Sequence, residues 1–82
     1  MDEIKQKVFQ VLAEKMSLDI NTIHTDSHLV NDLGLDSLGA VEMLFDLESQ
    51  YDIEISNEDA KKFVNPQNII DYLKSNIEQK TV

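Results

Sequence analysis

The segment Asp32–Leu38, which leads into a long apolar stretch, constrains this chain more than any other feature. Gly34 predicts a turn, and Asp36 or Ser37 predicts the N-cap of a helix that follows it. Backbone N–H groups are unpaired at the N-terminus of a helix, where the macrodipole is also positive. A serine at that position can therefore cap the helix, or it can carry a negatively charged phosphate ester that the helix end stabilises.

The predicted helix Ser37–Tyr51 carries apolar residues on two sides. At about 100° per residue, one side has Ala40, Leu44, Leu47 and Tyr51. The nearly opposite side has Leu38, Val41 and Phe45, interleaved with Glu42 and Glu48. A helix of a small domain needs one apolar face for its core. The second side is therefore either partly buried or offered to a partner, and periodicity alone does not decide between them.

Four pieces of this region together resemble the modification motif of acyl carrier proteins: Asp32-Leu33-Gly34, Asp36-Ser37-Leu38, Val41-Glu42 and Leu47-Glu48. In that family the motif serine, which matches Ser37, carries covalent 4′-phosphopantetheine derived from coenzyme A. Asp36 and Leu38 match its neighbours in the motif. The thiol of the arm holds acyl chains as thioesters. The resemblance further implies a partner-docking surface on this helix, formed by Leu38, Val41, Glu42, Phe45 and Glu48.

The resemblance is closest to the free-standing carriers of type II fatty acid synthesis, which are short and acidic. It implies a carrier and not an enzyme. The carrier would have two kinds of partner. One is a phosphopantetheinyl transferase, and the others are fatty acid synthesis enzymes and acyltransferases with basic docking patches. Gly39 departs from the family pattern, in which an acid commonly follows Ser-Leu. Carriers for polyketide, peptide or D-alanine ligation pathways therefore stay as alternatives, as does an unmodified acidic helical adaptor.

Composition narrows the classes of partner. Sixteen acidic residues against seven basic ones give a formal net charge of −9. Such a surface repels nucleic acids and anionic lipid, and it favours basic patches on partner proteins. The chain has no cysteine, so a thioester would need a thiol from a prosthetic group. No apolar run has transmembrane length, and the acidic start is unlike a signal peptide. We therefore expect a cytoplasmic monomer that neither inserts into membranes nor binds nucleic acid.

The first half of the chain predicts one helix and one long loop. The helix is expected to begin after Asp2 as N-cap and to end near Met16. It has an apolar face formed by Ile4, Val8, Val11, Leu12 and Met16, with Phe9 at its edge. The segment Ser17–Asp36 loses the helical pattern but keeps apolar residues. We expect it to be a loop strapped across the core, since loops of this length in small domains are often functional.

The second half predicts two further helices. Asp52–Ser56 is expected to be an extended connection with two core isoleucines, because a lone strand would have no partner. Ser56 and Asp59 resemble a capping box that opens a short helix to about Phe63. Asn65-Pro66 predicts the start of the last helix. That helix is expected to fray near Glu78, with residues 79–82 as a loose tail.

These elements predict a single all-α domain over residues 1–82. The fold expected is a small antiparallel four-helix bundle, with three main helices, one short helix and a long first loop. The resemblance implies a cavity that can hold an acyl chain. Ordinary core packing explains each candidate lining residue equally well; these are Val8, Leu12, Leu44, Leu47, Ile55, Ala60, Phe63, Ile69 and Tyr72.

Three other kinds of site fit the sequence less well: a hydrolase active site, a histidine metal site and a calcium-binding loop. A Ser-His-Asp hydrolase built on Ser37 would lack the Gly-x-Ser-x-Gly elbow. His24 and His28 have no cysteine partners and no convincing metal-ligand spacing. A calcium loop counted from Asp32 would place Ser37 and Met43 where glycine and glutamate are required. The two histidines are therefore expected to be loop residues near the second helix, able to titrate with pH.

Overall fold

The fold was examined in a computed structural model that describes residues 3–80, with side-chain detail for residues 3–77. It contains α1 (Glu3–Met16), α2 (Ser37–Tyr51), α3 (Asn57–Ala60) and α4 (Pro66–Lys80), and no strand occurs among the described residues. This confirms the predicted all-α fold of three long helices and one short helix. None of the helices within residues 3–80 is both long and apolar enough to span a bilayer.

The core lies where α1 packs against α2 and α4. Its buried side chains from the helices are Val8, Val11, Leu12, Met43, Leu47, Ile69, Ile70 and Leu73. Burying each of them fully contributes on the order of 1.5–3 kcal/mol. The predicted face of α1 is confirmed, with Ile4 and Met16 half-buried at its ends. The predicted face of α2 needs one correction, because its centre is formed by Met43 and Leu47, while Ala40, Leu44 and Tyr51 are half-buried.

The long loop between α1 and α2 lies across the core, as predicted. Ile23, Leu29 and Leu35 are buried, although Ile20 and Val30 are exposed. Two backbone hydrogen bonds join this loop to the start of α4. The amide of Leu29 donates to the carbonyl of Val64 over 2.9 Å, and that of Gln67 to the carbonyl of Thr25 over 3.1 Å.

A short 3-10 turn over Ile20–Thr22 lies early in this loop and was not predicted. The carboxylate of Asp19 caps it by accepting a 2.9 Å hydrogen bond from the amide of Asn21. Asp and Asn form such local turns through their own side chains, so the sequence did contain a signal for it.

The short helix α3 begins as expected but ends early. The Ser56 hydroxyl accepts from the amide of Asp59 at 3.1 Å, which confirms the predicted cap. The Asp59 carboxylate accepts from the Tyr72 hydroxyl at 3.0 Å, in place of the return bond of a capping box. The helix stops at Ala60 because the amides of Lys62 and Phe63 bond three residues back and tighten the chain into turns. The predicted end at Phe63 is therefore wrong.

The last helix starts at Pro66, as predicted. The Asn65 side chain accepts from the amide of Asn68 at 2.9 Å, and the Asn68 side chain accepts in return from the amides of Val64 and Asn65. The helix continues to Lys80, past the predicted fraying point at Glu78, since Glu, Gln and Lys are good helix formers. The predicted cap at Asp2 and the last two residues of the predicted tail lie outside the described residues.

The candidate lining residues divide into two groups. Val8, Leu12, Leu47 and Ile69 are fully buried members of the core. Five others are half-buried, namely Leu44, Ile55, Ala60, Phe63 and Tyr72. The rings of Phe63 and Tyr72 meet edge to face with centroids 5.3 Å apart. Ordinary packing therefore accounts for the first group, and the second group is only partly covered by the rest of the fold.

Candidate functional site

The turn that enters α2 is held by backbone hydrogen bonds between its own residues. The amide of Gly34 donates to the carbonyl of Val30 over 3.1 Å, and that of Leu35 to the carbonyl of Leu29 over 2.8 Å. Gly34 has a φ of +78°, in the left-handed region that glycine enters without steric cost. The glycine turn predicted from the sequence is therefore present, and it fixes the direction in which the chain enters α2.

Asp36, and not Ser37, is the N-cap of α2. Its backbone is extended, and its Oδ1 accepts a hydrogen bond of 2.7 Å from the amide of Gly39. Its carbonyl accepts from the amide of Ala40 at 2.9 Å. The sequence allowed either Asp36 or Ser37 as the N-cap, and the structure shows Asp36 in that position. Ser37 is thus the first residue of the helix, with an exposed side chain whose hydroxyl is not needed for the cap.

The surroundings of Ser37 fit a phosphate-linked prosthetic group. The amides of Ser37 and Leu38 belong to the first helical turn, where N–H groups have no carbonyl of the helix to bond. The positive end of the helix dipole lies at the same place and favours a phosphate. An exposed hydroxyl there can form a phosphodiester without any change in the fold.

Gly39 makes room for the cap. A Cβ at this position would lie 3.0 Å from Oδ1 of Asp36 and 3.3 Å from a methyl group of Leu35. Both separations are tighter than ordinary van der Waals contact, so a side chain here would require the Asp36 carboxylate and the Leu35 methyl group to shift by a few tenths of an ångström. The helix continues through Gly39 without a break. Glycine at this position thus leaves α2 intact and allows the Asp36 carboxylate to approach the backbone closely.

The side of α2 that faces away from the core carries an exposed apolar stripe, which we define as Leu38, Val41 and Phe45. These side chains are 68%, 47% and 67% exposed. Glu42 lies next to the stripe and is also exposed. The sequence alone did not decide whether this side of the helix is buried or exposed. The structure shows that it is exposed.

Glu48, the fifth of the predicted docking residues, has a different environment. Its side chain is half-buried, and its Oε2 accepts a 2.9 Å hydrogen bond from the amide of Ile55. The carboxylate therefore links the end of α2 to the connection that precedes α3. On the same helix, Asp46 forms an ion pair of 3.7 Å with Lys15 of α1. Each of these contacts joins α2 to a different segment of the chain, so the spacing of residues along the helix could not predict either of them.

His28 is a residue of this region whose role the sequence did not predict. Its Nδ1 accepts hydrogen bonds from the amides of Val30 and Asn31, at 3.2 and 3.0 Å. The amide of His28 donates to Oδ2 of Asp32 at 2.7 Å. His24, the other histidine of the loop, has an exposed side chain. Within residues 3–80, no group of three or more His, Cys, Asp or Glu side chains is arranged to hold a metal ion.

Comparisons with known proteins define the class first and then the family. Residues 6–73 match the family model described as a phosphopantetheine attachment site. Proteins named acyl carrier protein from Chlorobium phaeobacteroides and Chlorobium phaeovibrioides are 39% and 41% identical to this chain over 71 residues. Another from Chlorobium luteolum is 39% identical over the same length. Each alignment covers 87% of this chain and 91% of the relative. The chain belongs to the acyl carrier protein family.

Membership confirms the class that the motif predicted and its cofactor, phosphopantetheine. Proteins of this family hold acyl intermediates on that group and act as carriers in the reactions of other enzymes. The match also covers Asp36, Ser37 and Leu38, together with the turn that precedes them.

Proposed function

We propose that this chain carries acyl intermediates of fatty acid synthesis as thioesters on 4′-phosphopantetheine attached to Ser37. The observation that carries the proposal is the division of roles at the start of α2. Asp36 caps the helix, which leaves the exposed hydroxyl of Ser37 available at the positive end of the dipole. The family match supplies the cofactor, and Ser37 is proposed as its attachment point because it is the serine of the motif in the sequence.

Each residue of the motif has a separate task in this proposal. Ser37 supplies the oxygen of the phosphodiester, and the first amides of α2 favour its negative charge. Asp36 caps α2 by accepting a hydrogen bond from the amide of Gly39. Leu38 is exposed immediately beside the serine and offers an apolar contact to the enzyme that modifies it. When bound, the group supplies the thiol that a chain without cysteine lacks.

The docking surface for partner enzymes is formed by the exposed apolar stripe and by Glu42, with Glu48 at its far end. Apolar anchors surrounded by acidic side chains suit a partner whose hydrophobic patch has a basic rim. The net charge of −9 favours the same partners through long-range attraction. We infer a phosphopantetheinyl transferase as one partner, and synthases and acyltransferases of fatty acid synthesis as others.

We further propose that the chain forms one carrier domain. Residues 3–77 contribute to one core, which supports a single carrier domain. The domain would be a monomer without catalytic activity of its own, working in the cytoplasm. Carriers of polyketide, peptide or D-alanine ligation pathways use the same serine. Gly39, which lacks the acid common in fatty acid carriers, keeps those pathways as alternatives.

Intact mass spectrometry tests the attachment site. The unmodified protein is incubated with coenzyme A and a broad-specificity phosphopantetheinyl transferase, and Ser37→Ala is treated in parallel. We expect the wild type alone to gain the mass of one phosphopantetheine. Because Asp36 is the cap, Ser37→Ala should stay as stable as the wild type to within about 0.5 kcal/mol. Equal gain by both proteins would refute the assignment of Ser37, and no gain by folded wild type would favour the adaptor.

A transfer assay tests the pathway. The loaded carrier is offered to an acyltransferase of type II fatty acid synthesis and, separately, to a D-alanine ligase. Acylation by the first enzyme alone supports the fatty acid role. Acylation by the second alone would move the carrier to the other pathway without affecting the attachment at Ser37.

A further inference from the structure

We propose that His28 is a positioning residue for the modification site, and that it acts only while its imidazole is neutral. Proton uptake by His28 would then loosen the turn that presents Ser37. The effect would make loading of the carrier dependent on pH through the carrier itself. This inference rests on the proposed attachment at Ser37 for its loading assay, but not for its spectroscopic assay.

The side chain and backbone of His28 together hold the turn. Nδ1 of His28 accepts from the amides of Val30 and Asn31, at 3.2 and 3.0 Å. The carbonyl of His28 accepts from the amides of Asp32 and Leu33, at 2.8 and 3.1 Å. The carboxylate of Asp32 accepts from the amide of His28 at 2.7 Å. One residue thus bonds to four consecutive residues, in the manner of a helix cap.

A histidine performs this role only in one protonation state. A ring nitrogen that accepts hydrogen bonds carries no proton, so the neutral ring must have its proton on Nε2. In the imidazolium both nitrogens are donors, and Nδ1 would then face the N–H groups of Val30 and Asn31. Both hydrogen bonds are lost in that state. Histidine is also the side chain whose unperturbed pKa lies between pH 5 and pH 8, whereas the usual cap residues Ser, Thr and Asn do not titrate there.

The turn is connected to Ser37 through two buried leucines. Leu29, next to His28, accepts at its carbonyl a 2.8 Å hydrogen bond from the amide of Leu35. Leu29 also donates its amide to the carbonyl of Val64 over 2.9 Å, which anchors it on the far side. Only the capping residue Asp36 separates Leu35 from Ser37. A change in the turn therefore changes the entry of the chain into α2.

Charged side chains also occur in this loop and in the segments to which it is hydrogen-bonded. The loop carries Asp26 and Asp32, the segment before Val64 carries Lys61 and Lys62, and the first part of α4 carries Asp71. Asp32 is the one of these whose carboxylate already bonds to His28. In the imidazolium the proton on Nδ1 would face the N–H groups of Val30 and Asn31, and this repulsion favours movement of the ring away from those amides.

Nuclear magnetic resonance tests the geometry in the unmodified protein. Long-range nitrogen spectra recorded over a pH series are expected to show the Nε2–H tautomer of His28 while the ring is neutral, and loss of that tautomer once the imidazolium forms. Over the same range the amide protons of Val30 and Asn31 should shift and exchange faster with solvent. The Nδ1–H tautomer at high pH, or amide signals that do not respond as the imidazole titrates, would overturn the proposal.

Loading kinetics test the consequence for Ser37. His28→Asn keeps a side-chain oxygen that can accept from the following amides but does not titrate, and His24→Asn removes the other histidine of the loop as a matched control. We expect the ratio of kcat/KM for wild type to that for His28→Asn to fall about fivefold between the pH at which the nitrogen spectra show the neutral ring and the pH at which they show the imidazolium, the factor worth one ordinary hydrogen bond. The ratio cancels the pH dependence of the transferase.

The outcomes separate this inference from the proposed function. A flat ratio for His28→Asn, or an equal fall for His24→Asn, would overturn the role of His28 while leaving the attachment at Ser37 intact. A folded wild type that is not loaded at any pH would refute the attachment at Ser37. In that case the tautomer and amide signals alone would decide whether His28 holds the turn.

Discussion

Reversing the charge of Glu48 is expected to destabilise the fold, whereas the same reversal at Glu42 is not. Oε2 of Glu48 accepts from the amide of Ile55 at 2.9 Å, and the side chain is half-buried. Glu42 is exposed on the same helix. A lysine cannot accept a hydrogen bond, so Glu48→Lys leaves the amide of Ile55 without its acceptor. Glu42→Lys removes no such contact.

The size of the effect follows from the character of this bond. Hydrogen bonds to charged groups contribute roughly 1.5–3 kcal/mol to stability, and a half-exposed carboxylate falls toward the lower end, at about 1.5 kcal/mol. Each reversal also raises the formal net charge from −9 by two units, which relieves self-repulsion equally in both variants. The difference between the two variants therefore isolates the hydrogen bond. Glu48→Gln keeps a neutral acceptor and should fall between them.

Urea unfolding followed by circular dichroism measures this difference. We expect the free energy of unfolding of Glu48→Lys to be about 1.5 kcal/mol below that of Glu42→Lys, with equal m-values. Equal stability of the two variants would refute the structural role of Glu48.

In the transfer assay, Glu42→Lys should slow acylation by a partner enzyme at low salt while the fold keeps its stability. An unchanged rate would contradict the docking role of Glu42.

Two further predictions concern polar contacts of the bundle. Asp36→Ala should lower the free energy of unfolding by about 1 kcal/mol through loss of the cap, and a thermal-unfolding cost no larger than that of Ser37→Ala would contradict the assignment of the cap. Burial, and then the hydrogen bond to Asp59, raises the pKa of Tyr72 above its ordinary value of 10.0. A raised pKa gives stability that is complete below the unfolded value and is lost as the pH rises through the folded value. Wild type should therefore exceed Tyr72→Phe in stability up to about pH 10 and lose that advantage above it. An advantage that stays constant through the tyrosine titration, followed by absorbance, would contradict this.

Features set by a few neighbouring residues were predictable from the sequence. The cap at the start of α2, the turn at Gly34 and the start of α4 at Asn65-Pro66 each depend on residues within one helical turn. The matching of Ser37 to the family motif is equally local. For these features the chemistry of the side chain determines the backbone directly.

Features that depend on the packing of distant segments were not predictable. Met43 lies at the centre of the buried face of α2, and the orientation in which α2 packs against α1 decides this. Helical periodicity predicted the position of that face only approximately. Glu48 bonds to a residue seven positions away, and the Asp59 carboxylate to one thirteen positions away. His28 was missed for another reason, since histidine is not among the usual cap residues and its role depends on its protonation state.

The site combines an exposed serine with a firmly held backbone, and the loop explains how both are possible. Residues 30–34 of the turn are exposed or half-buried, but the turn begins and ends at buried leucines, Leu29 and Leu35, which are 1% and 8% exposed. Those two leucines bond to each other over 2.8 Å. The buried leucines anchor the turn, the His28 ring accepts from two of its backbone amides, and Asp36 caps the helix that follows through the amide of Gly39. Ser37 is therefore exposed to solvent at the start of a well-supported helix, and a long arm attached to it as proposed would move far more than the backbone that carries it.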